Sequence, residues 1–234
     1  MKADPTPSPA AQAHFSDPEA VARYAEGPPR FVPGYNAMQR MAELLIAERV
    51  PERGRVLVLG AGGGLELAAF AAARPGWTFD GVDPSAEMLA LAERTMGPLA
   101  PRARLHRGYA EDAPEGPFDA ATCLLTMHFM SIEERRAAAA AMHRRLRPGA
   151  PLIVAHLGFP QADGARARWL ARYSAFTVAS GLDPEKALNA RAAVDAQTVI
   201  LAPGQDEAIL REAGFTNVEL FYAAFSFRGW VGYA

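Results

Sequence analysis

The chain predicts an α/β fold: a seven-stranded, mostly parallel sheet with an antiparallel hairpin at one edge and helices on both faces. Three observations carry this. The apolar run Arg55-Val56-Leu57-Val58-Leu59 ends in Gly60-Ala61-Gly62-Gly63-Gly64 and opens onto an alanine-rich stretch. That is the pattern of a buried parallel strand, a tight turn and a helix. Strand-like and helix-like segments then alternate, which covers both faces of a sheet. The last two strands, about 217–225 and 227–233, are joined too tightly for a crossover helix, so they pair antiparallel.

Taken in order, residues 1–13 are rich in proline and alanine and read as a disordered tail. Residues 14–234 read as one domain, of which 14–50 form an N-terminal helical cap. The cap has a helical segment at about Asp17–Ala25, a break over Pro28–Tyr35, and a second helix at about Asn36–Arg49. Strands follow at about 55–60, 78–83, 103–108, 118–125 and 151–157. Helices lie between them at about 65–74, 84–95 and 131–147. The last of these opens on Ser131 and Glu134, an S-x-x-E capping box, and stops at Arg147-Pro148-Gly149. An insertion at 159–203 carries helical segments at about 164–180 and 184–200. Insertions at the carboxyl edge of a parallel sheet overhang the ligand crevice, so this one reads as a lid. A short helix at about Gln205–Ala213, closed by Gly214, leads into the hairpin.

Composition narrows the function. A chain of 234 residues, 50% hydrophobic, can bury one ordinary core. A net charge of −2 lacks the basic surplus of a nucleic-acid binder, so no direct nucleic-acid partner is expected. Cys123 is the single cysteine, which excludes an internal disulfide and a cysteine-based zinc site. His14, His106, His143 and His156 form no ligand-spaced cluster, so no metal is assigned. No apolar stretch is long enough for a bilayer and the N-terminus has no signal region, so a cytoplasmic protein without a membrane partner is expected.

The chemistry gathers at two strand ends. Glycines after the first strand admit a ligand close to the backbone. About twenty residues later Phe79-Asp80-Gly81-Val82-Asp83-Pro84-Ser85 ends a second strand in Asp83, placed to accept hydrogen bonds from ribose hydroxyls or to cap the next helix. Together they indicate a nucleoside-containing cofactor. The loop reads G-x-G-x-G rather than G-x-G-x-x-G, and Gly108-Tyr109-Ala110-Glu111-Asp112 closes the third strand. His128, beside Phe129 after the fourth strand, is either a general base or a packed side chain.

Residues 55–158 resemble a Rossmann-like class I S-adenosylmethionine-dependent methyltransferase. The similar segments are Val56–Gly62, Gly81–Leu89, Phe118-Asp119-Ala120-Ala121 and Leu146-Arg147-Pro148-Gly149-Ala150. A wider resemblance starts at Phe15 and rests on Val32-Pro33-Gly34-Tyr35, Thr126-Met127-His128-Phe129, Arg191 and Glu212–Phe225. These are similar to the carboxy-S-adenosylmethionine synthase family, which uses prephenate and feeds modification of the tRNA wobble uridine. The resemblance implies S-adenosylmethionine as cofactor. It implies that Tyr35 closes over it, that Gly60, Ala61 and Gly62 pass its methionine part and ribose, and that Asp83 holds the ribose diol. It further implies Pro84, Tyr109 and Ala110 beside the adenine and Arg191 on the sulfonium side. Three positions depart from the family pattern. Val58 stands where an acidic residue is usual, which leaves ordered water or Glu66 to anchor the methionine end, or a weaker hold on the cofactor. Leu124 replaces an expected asparagine, and Tyr109 an acidic residue.

These features favour a methyltransferase acting on a small molecule. Synthesis of carboxy-S-adenosylmethionine is the first alternative. A non-catalytic S-adenosylmethionine-binding module, motivated by Val58 and Leu124, is the second. Whether the lid helices pair between two subunits as a homodimer is left open.

Overall fold

A computed structural model describes Val21 and residues 24–50, 52–162 and 164–234. The expected tail at 1–13, and the expected helix from Asp17 up to Arg23 except Val21, lie outside the described residues. Tyr24–Glu26 form a 3₁₀ turn, followed by a five-residue helix, α1 (Gly27–Phe31). The sequence reading placed a break there. Pro28 and Pro29 are compatible with helix because they fall in the first turn, where proline removes no intrahelical hydrogen bond. Helix α2 (Tyr35–Ala47) completes the N-terminal segment.

The alternating core then runs β1 (Gly54–Leu59), α3 (Leu65–Ala73), β2 (Trp77–Asp83), α4 (Ala86–Met96), β3 (Ala103–Arg107) and β4 (Ala120–Leu124). It continues through α5 (Ile132–Arg145), β5 (Pro151–Leu157), α6 (Ala165–Ala179), α7 (Pro184–Gln197), α8 (Pro203–Glu212), β6 (Thr216–Ala224) and β7 (Phe227–Tyr233). Strand order is β3-β2-β1-β4-β5-β7-β6. The first five strands are mutually parallel, and β7 is antiparallel to both β5 and β6. Order reverses between β1 and β4, and the crevice at the carboxyl ends of those strands is where open α/β sheets take ligands.

Alternation along β1 supplies both cores. Val56 and Val58 face a cluster with Met38, Ile46 and Phe70, whereas Leu57 and Leu59 face one with Met142, Leu146 and Leu152. Helix ends follow local chemistry. The Ser131 hydroxyl accepts from the Glu134 N–H at 3.2 Å, while the Glu134 carboxylate accepts from the Ser131 N–H at 2.6 Å. The Ser85 hydroxyl accepts from the Met88 N–H at 3.1 Å, so Ser85, not Asp83, caps α4. Helix α7 ends at Gln197 rather than near 200, because the chain turns extended at Thr198. The Val199 N–H then donates to the His128 carbonyl, and Leu201 pairs with Gly158.

The insertion does not sit where a lid was expected. Tyr173 on α6 stacks on Phe31 of α1 and packs on Phe227 of β7, and the Ser226 hydroxyl donates to the Trp169 carbonyl. The segment therefore covers the N-terminal helices and the hairpin turn. Among the described residues no helix is long and apolar enough to cross a membrane.

Helices α5 and α8 are joined by a buried ion pair. Arg135 is 0% exposed, its Nη1 lies 2.5 Å from Asp206 Oδ1, and its Nη2 donates to the Val199 carbonyl. Replacing Arg135 by alanine leaves a buried carboxylate without its guanidinium, a loss of about 3–5 kcal/mol. Urea unfolding of Arg135→Ala is expected to show that loss.

Candidate cofactor site

Loop 60–64 is held by β2. The N–H groups of Gly60 and Ala61 both donate to the Val82 carbonyl, at 2.8 and 3.0 Å. The Gly62 N–H donates to Asp83 Oδ2 at 2.9 Å, and the Ser85 N–H donates to Asp83 Oδ1 at 3.0 Å. Asp83 therefore ties the turn to the strand end and keeps unused lone pairs on both oxygens. Burial pushes its carboxyl above the usual range, opposed by those two hydrogen bonds. Two glycines are required sterically. At Gly60 (φ +75°) a Cβ would lie 2.0 Å from the Thr126 hydroxyl oxygen, and at Gly64 (φ +78°) one would lie 2.6 Å from the Ala92 backbone. The second contact lets α3 lie close on α4.

Above this loop opens a cavity of about 950 Å³. Gly60, Gly62, Asp83, Pro84, Tyr109 and Ala110 line it, as does Leu124 at the end of β4. The other nominated residues are placed elsewhere. The Ala61 side chain is buried in the core. Tyr35 is buried on α2, its phenol oxygen accepting from Gln39 Nε2 at 2.8 Å. Arg191 lies half-buried on α7, and no described residue of 159–203 lines the cavity. His128 is buried, its Nδ1 accepting from the Leu157 N–H at 3.4 Å. The structure thus seats His128 as a packed side chain, outside the cavity where a general base was considered.

Other residues enter to which the sequence reading gave no role in binding the cofactor. Tyr24 lines the cavity, and its phenol oxygen would lie 3.2 Å from a Cβ at Gly62. Its hydroxyl is held above its ordinary pKa by burial, then by the charges of Asp83 and Glu66. Thr126, Phe129 and Met130 line the wall beyond β4. Leu125 has left-handed backbone (φ 58°), a conformation that costs a non-glycine residue about 1–3 kcal/mol and gathers at functional sites. The lining carries six carboxyl side chains, on Asp83, Glu87, Glu111, Asp112, Glu133 and Glu134, against one guanidinium, Arg107. Such a cavity favours a cationic ligand. A glycine cradle, a carboxylate at the second strand end and an acidic wall fit a nucleoside that carries positive charge.

Comparisons with known proteins agree with this geometry. Residues 56–149 match a family described as a methyltransferase domain. The chain is 27% identical to the carboxy-S-adenosyl-L-methionine synthase of Chromohalobacter salexigens, covering 94% of this chain and 84% of that protein. Among solved structures it is similar to human N-acetylserotonin methyltransferase in complex with SAM, with TM-score 0.65 and 13% identity over 97% of this chain and 59% of that one. It is also similar to PigF with SAH, with TM-score 0.68 and 18% identity over 95% and 61%, and to the methyltransferase SibL, with TM-score 0.60 and 19% identity over 86% and 56%. The chain thus spans less than two thirds of the length of these solved structures.

Burial, then the neighbouring His156 and Arg135, hold the His128 imidazole well below its ordinary value of 6.5. The unfolded chain therefore takes up a proton near pH 6.5 that the folded chain refuses. Stability present above pH 6.5 is lost as pH falls from there toward the depressed value. Thermal melts between pH 7 and 5 are expected to fall, and His128→Gln to remove up to about 1.4 kcal/mol per pH unit from that slope.

The segment 56–149 that matches a methyltransferase domain holds the glycine loop, Asp83 and the strand ends that line the cavity, on a fold shared with solved methyltransferases.

Proposed function

We propose that the protein transfers the methyl group of S-adenosylmethionine to a small, uncharged or cationic acceptor. The observation that carries this reading is the cavity at the β1/β4 crossover, where the glycine loop, Asp83 and an acidic wall converge. When bound, the cofactor supplies an electrophilic methyl on a sulfonium. The work left to the chain is to bind and to orient, and orientation supplies up to about 7–11 kcal/mol in favourable cases. Asp83 accepts hydrogen bonds from the ribose diol on the lone pairs left by Gly62 and Ser85. Pro84, Tyr109 and Ala110 flank the adenine. Tyr24 closes the N-terminal side of the loop, the role the sequence reading gave to Tyr35. Phe129 and Met130 exclude water on the side of α5.

Carboxy-S-adenosylmethionine synthesis is the second reading, and the Chromohalobacter relative aligned along 94% of the chain favours it. In that case the product would feed tRNA wobble-uridine modification without the protein holding tRNA. Six carboxyl groups and one guanidinium suit a dianion such as prephenate poorly, and Arg191 lies outside the cavity. Mass spectrometry of ligand released from freshly purified protein separates the readings. S-adenosylmethionine or its demethylated product is expected, and a species heavier by one CO₂ would reverse the order.

Asp83→Ala removes charge-assisted hydrogen bonds worth about 1.5–3 kcal/mol. Calorimetry is expected to show a ~10–150-fold weaker affinity for S-adenosylmethionine. Unchanged affinity would remove Asp83 from the site, and no binding by the wild-type chain would remove the cofactor reading.

A further inference from the structure

Three residues other than glycine hold left-handed backbone among the described residues: Leu125 (φ 58°), Asn217 (φ 47°) and Phe225 (φ 46°). Asparagine adopts that region at little cost. Phe225 is exposed in the turn between β6 and β7 and does not line the cavity. Leu125 is different. It follows directly on β4, lines the cavity and is half-buried against the apolar cluster that contains Val58 and Ala155. Its backbone is fixed from both sides. The Leu125 N–H donates to the Ala155 carbonyl of β5 at 2.6 Å. The Thr126 hydroxyl, which fills the space beside Gly60, donates to the Leu124 carbonyl at 3.0 Å. The turn therefore imposes a positive φ at 125, which glycine would adopt without crowding a Cβ against the backbone carbonyl. A leucine held there against that crowding implies a use for its side chain.

We propose that Leu125 is a specificity-determining residue: it forms the wall in front of the cofactor's sulfur and limits the size of the group that stands there. The proposal rests on the reading that this cavity holds S-adenosylmethionine. The carboxyl ends of the strands run β3, β2, β1, β4 across the cavity. Tyr109 and Ala110 follow β3, Asp83 ends β2 and Gly60 follows β1. With the base at β3 and the ribose on Asp83, the sulfur, bonded to the ribose 5′ carbon, comes over β1. Its substituent is then directed toward β4, one strand spacing of about 4.8 Å further. Leu124 and Leu125 line the cavity there. Leu124 is 6% exposed and committed to the core cluster. Leu125, half-buried, is the one of the two with surface left for a ligand. A methyl group meets an apolar wall at that point, and an acceptor reaches it through the room the wall leaves. A longer group meets the same wall and does not fit. The hydrogen bond to Ala155 and the contact of Thr126 with Gly60 stop the turn from yielding.

The test is calorimetric titration of the full chain with three probes. They are S-adenosylmethionine, S-adenosylethionine, which carries one further methylene on the sulfur, and S-adenosylhomocysteine, which carries no transferable group. Wild type is expected to bind the ethyl compound ~10–200-fold more weakly than S-adenosylmethionine, the range for one methylene too many in an apolar pocket. Leu125→Ala is expected to bring the two sulfonium compounds within about threefold of each other. S-adenosylhomocysteine, with nothing at that wall, is expected to bind both proteins alike. Leu125→Gly is the second variant and decides if Leu125→Ala does not fold. It removes the wall and the strain together, so it is expected to give the same ratio and to melt above Leu125→Ala, the reverse of the usual order of these residues. A leucine with a structural role alone would cost stability and leave the ratio between the sulfonium compounds unmoved. An unchanged ratio in the variants, or a wild type that binds the ethyl compound as tightly as the methyl one, overturns the proposal and leaves the cofactor reading standing. No binding of S-adenosylmethionine by wild type overturns both.

Discussion

One short set of hydrogen bonds fixes everything above the sheet. The Val82 carbonyl accepts from Gly60 and Ala61, and Asp83 accepts from Gly62 and Ser85. These bonds lock the turn after β1 to the end of β2, so two segments about twenty residues apart present one surface. The lock requires backbone that only glycine adopts cheaply at Gly60, where the Thr126 side chain fills the space of a Cβ. A side chain at Gly60 would push the loop away from β4, and the cavity wall would open with it.

The same bonds explain why Asp83 serves two ends. An aspartate that only capped a helix would spend its acceptors on the first turn of α4. Here Ser85 takes that task, which leaves Asp83 to brace the loop with one lone pair on each oxygen. The carboxylate is thereby oriented before any ligand arrives, and a ribose diol meets acceptors that need no reordering. Such preorganisation lowers the ordering cost of binding.

How much of this was legible in the sequence follows from which residues act through the backbone. All seven strands fall within two residues of where the apolar runs put them, because period-two burial and glycine punctuation are local signals. Gly60, Gly62, Asp83, Pro84, Tyr109 and Ala110 reach the cavity because strand ends in this topology have nowhere else to point. Tyr35, His128 and Arg191 do not reach it, because each sits on a helix or 3₁₀ turn whose rotation is set by tertiary packing. Tyr35 turns inward to Gln39, and His128 turns toward β5. The insertion was misplaced for a similar reason. Its Tyr173 found Phe31 and Phe227 to pack against, and the Trp169 carbonyl found the Ser226 hydroxyl; no local pattern marks that partnership. Tyr24 lacked any motif, and Thr126 was only part of a segment of resemblance with no role given to it. Only the close approach of their side chains to glycine positions reveals them.

Buried charge is handled in two contrasting ways within about one helix of the cofactor loop. Arg135, Asp206 and His156 meet inside the protein, and the pair holds α5, α8 and the end of the insertion together. That network is closed: its charge is balanced by the chain itself, at the expense of desolvation that a hydrophobic cluster would not incur. Four of its polar atoms, Arg135 Nε, both His156 ring nitrogens and Asp206 Oδ2, have no hydrogen-bond partner among the described residues, which marks it as a structural clamp held together against that penalty. Glu66 is the opposite case: it lies as deep as Glu43, which has Arg74, and among the described residues it meets the Thr122 hydroxyl and no guanidinium.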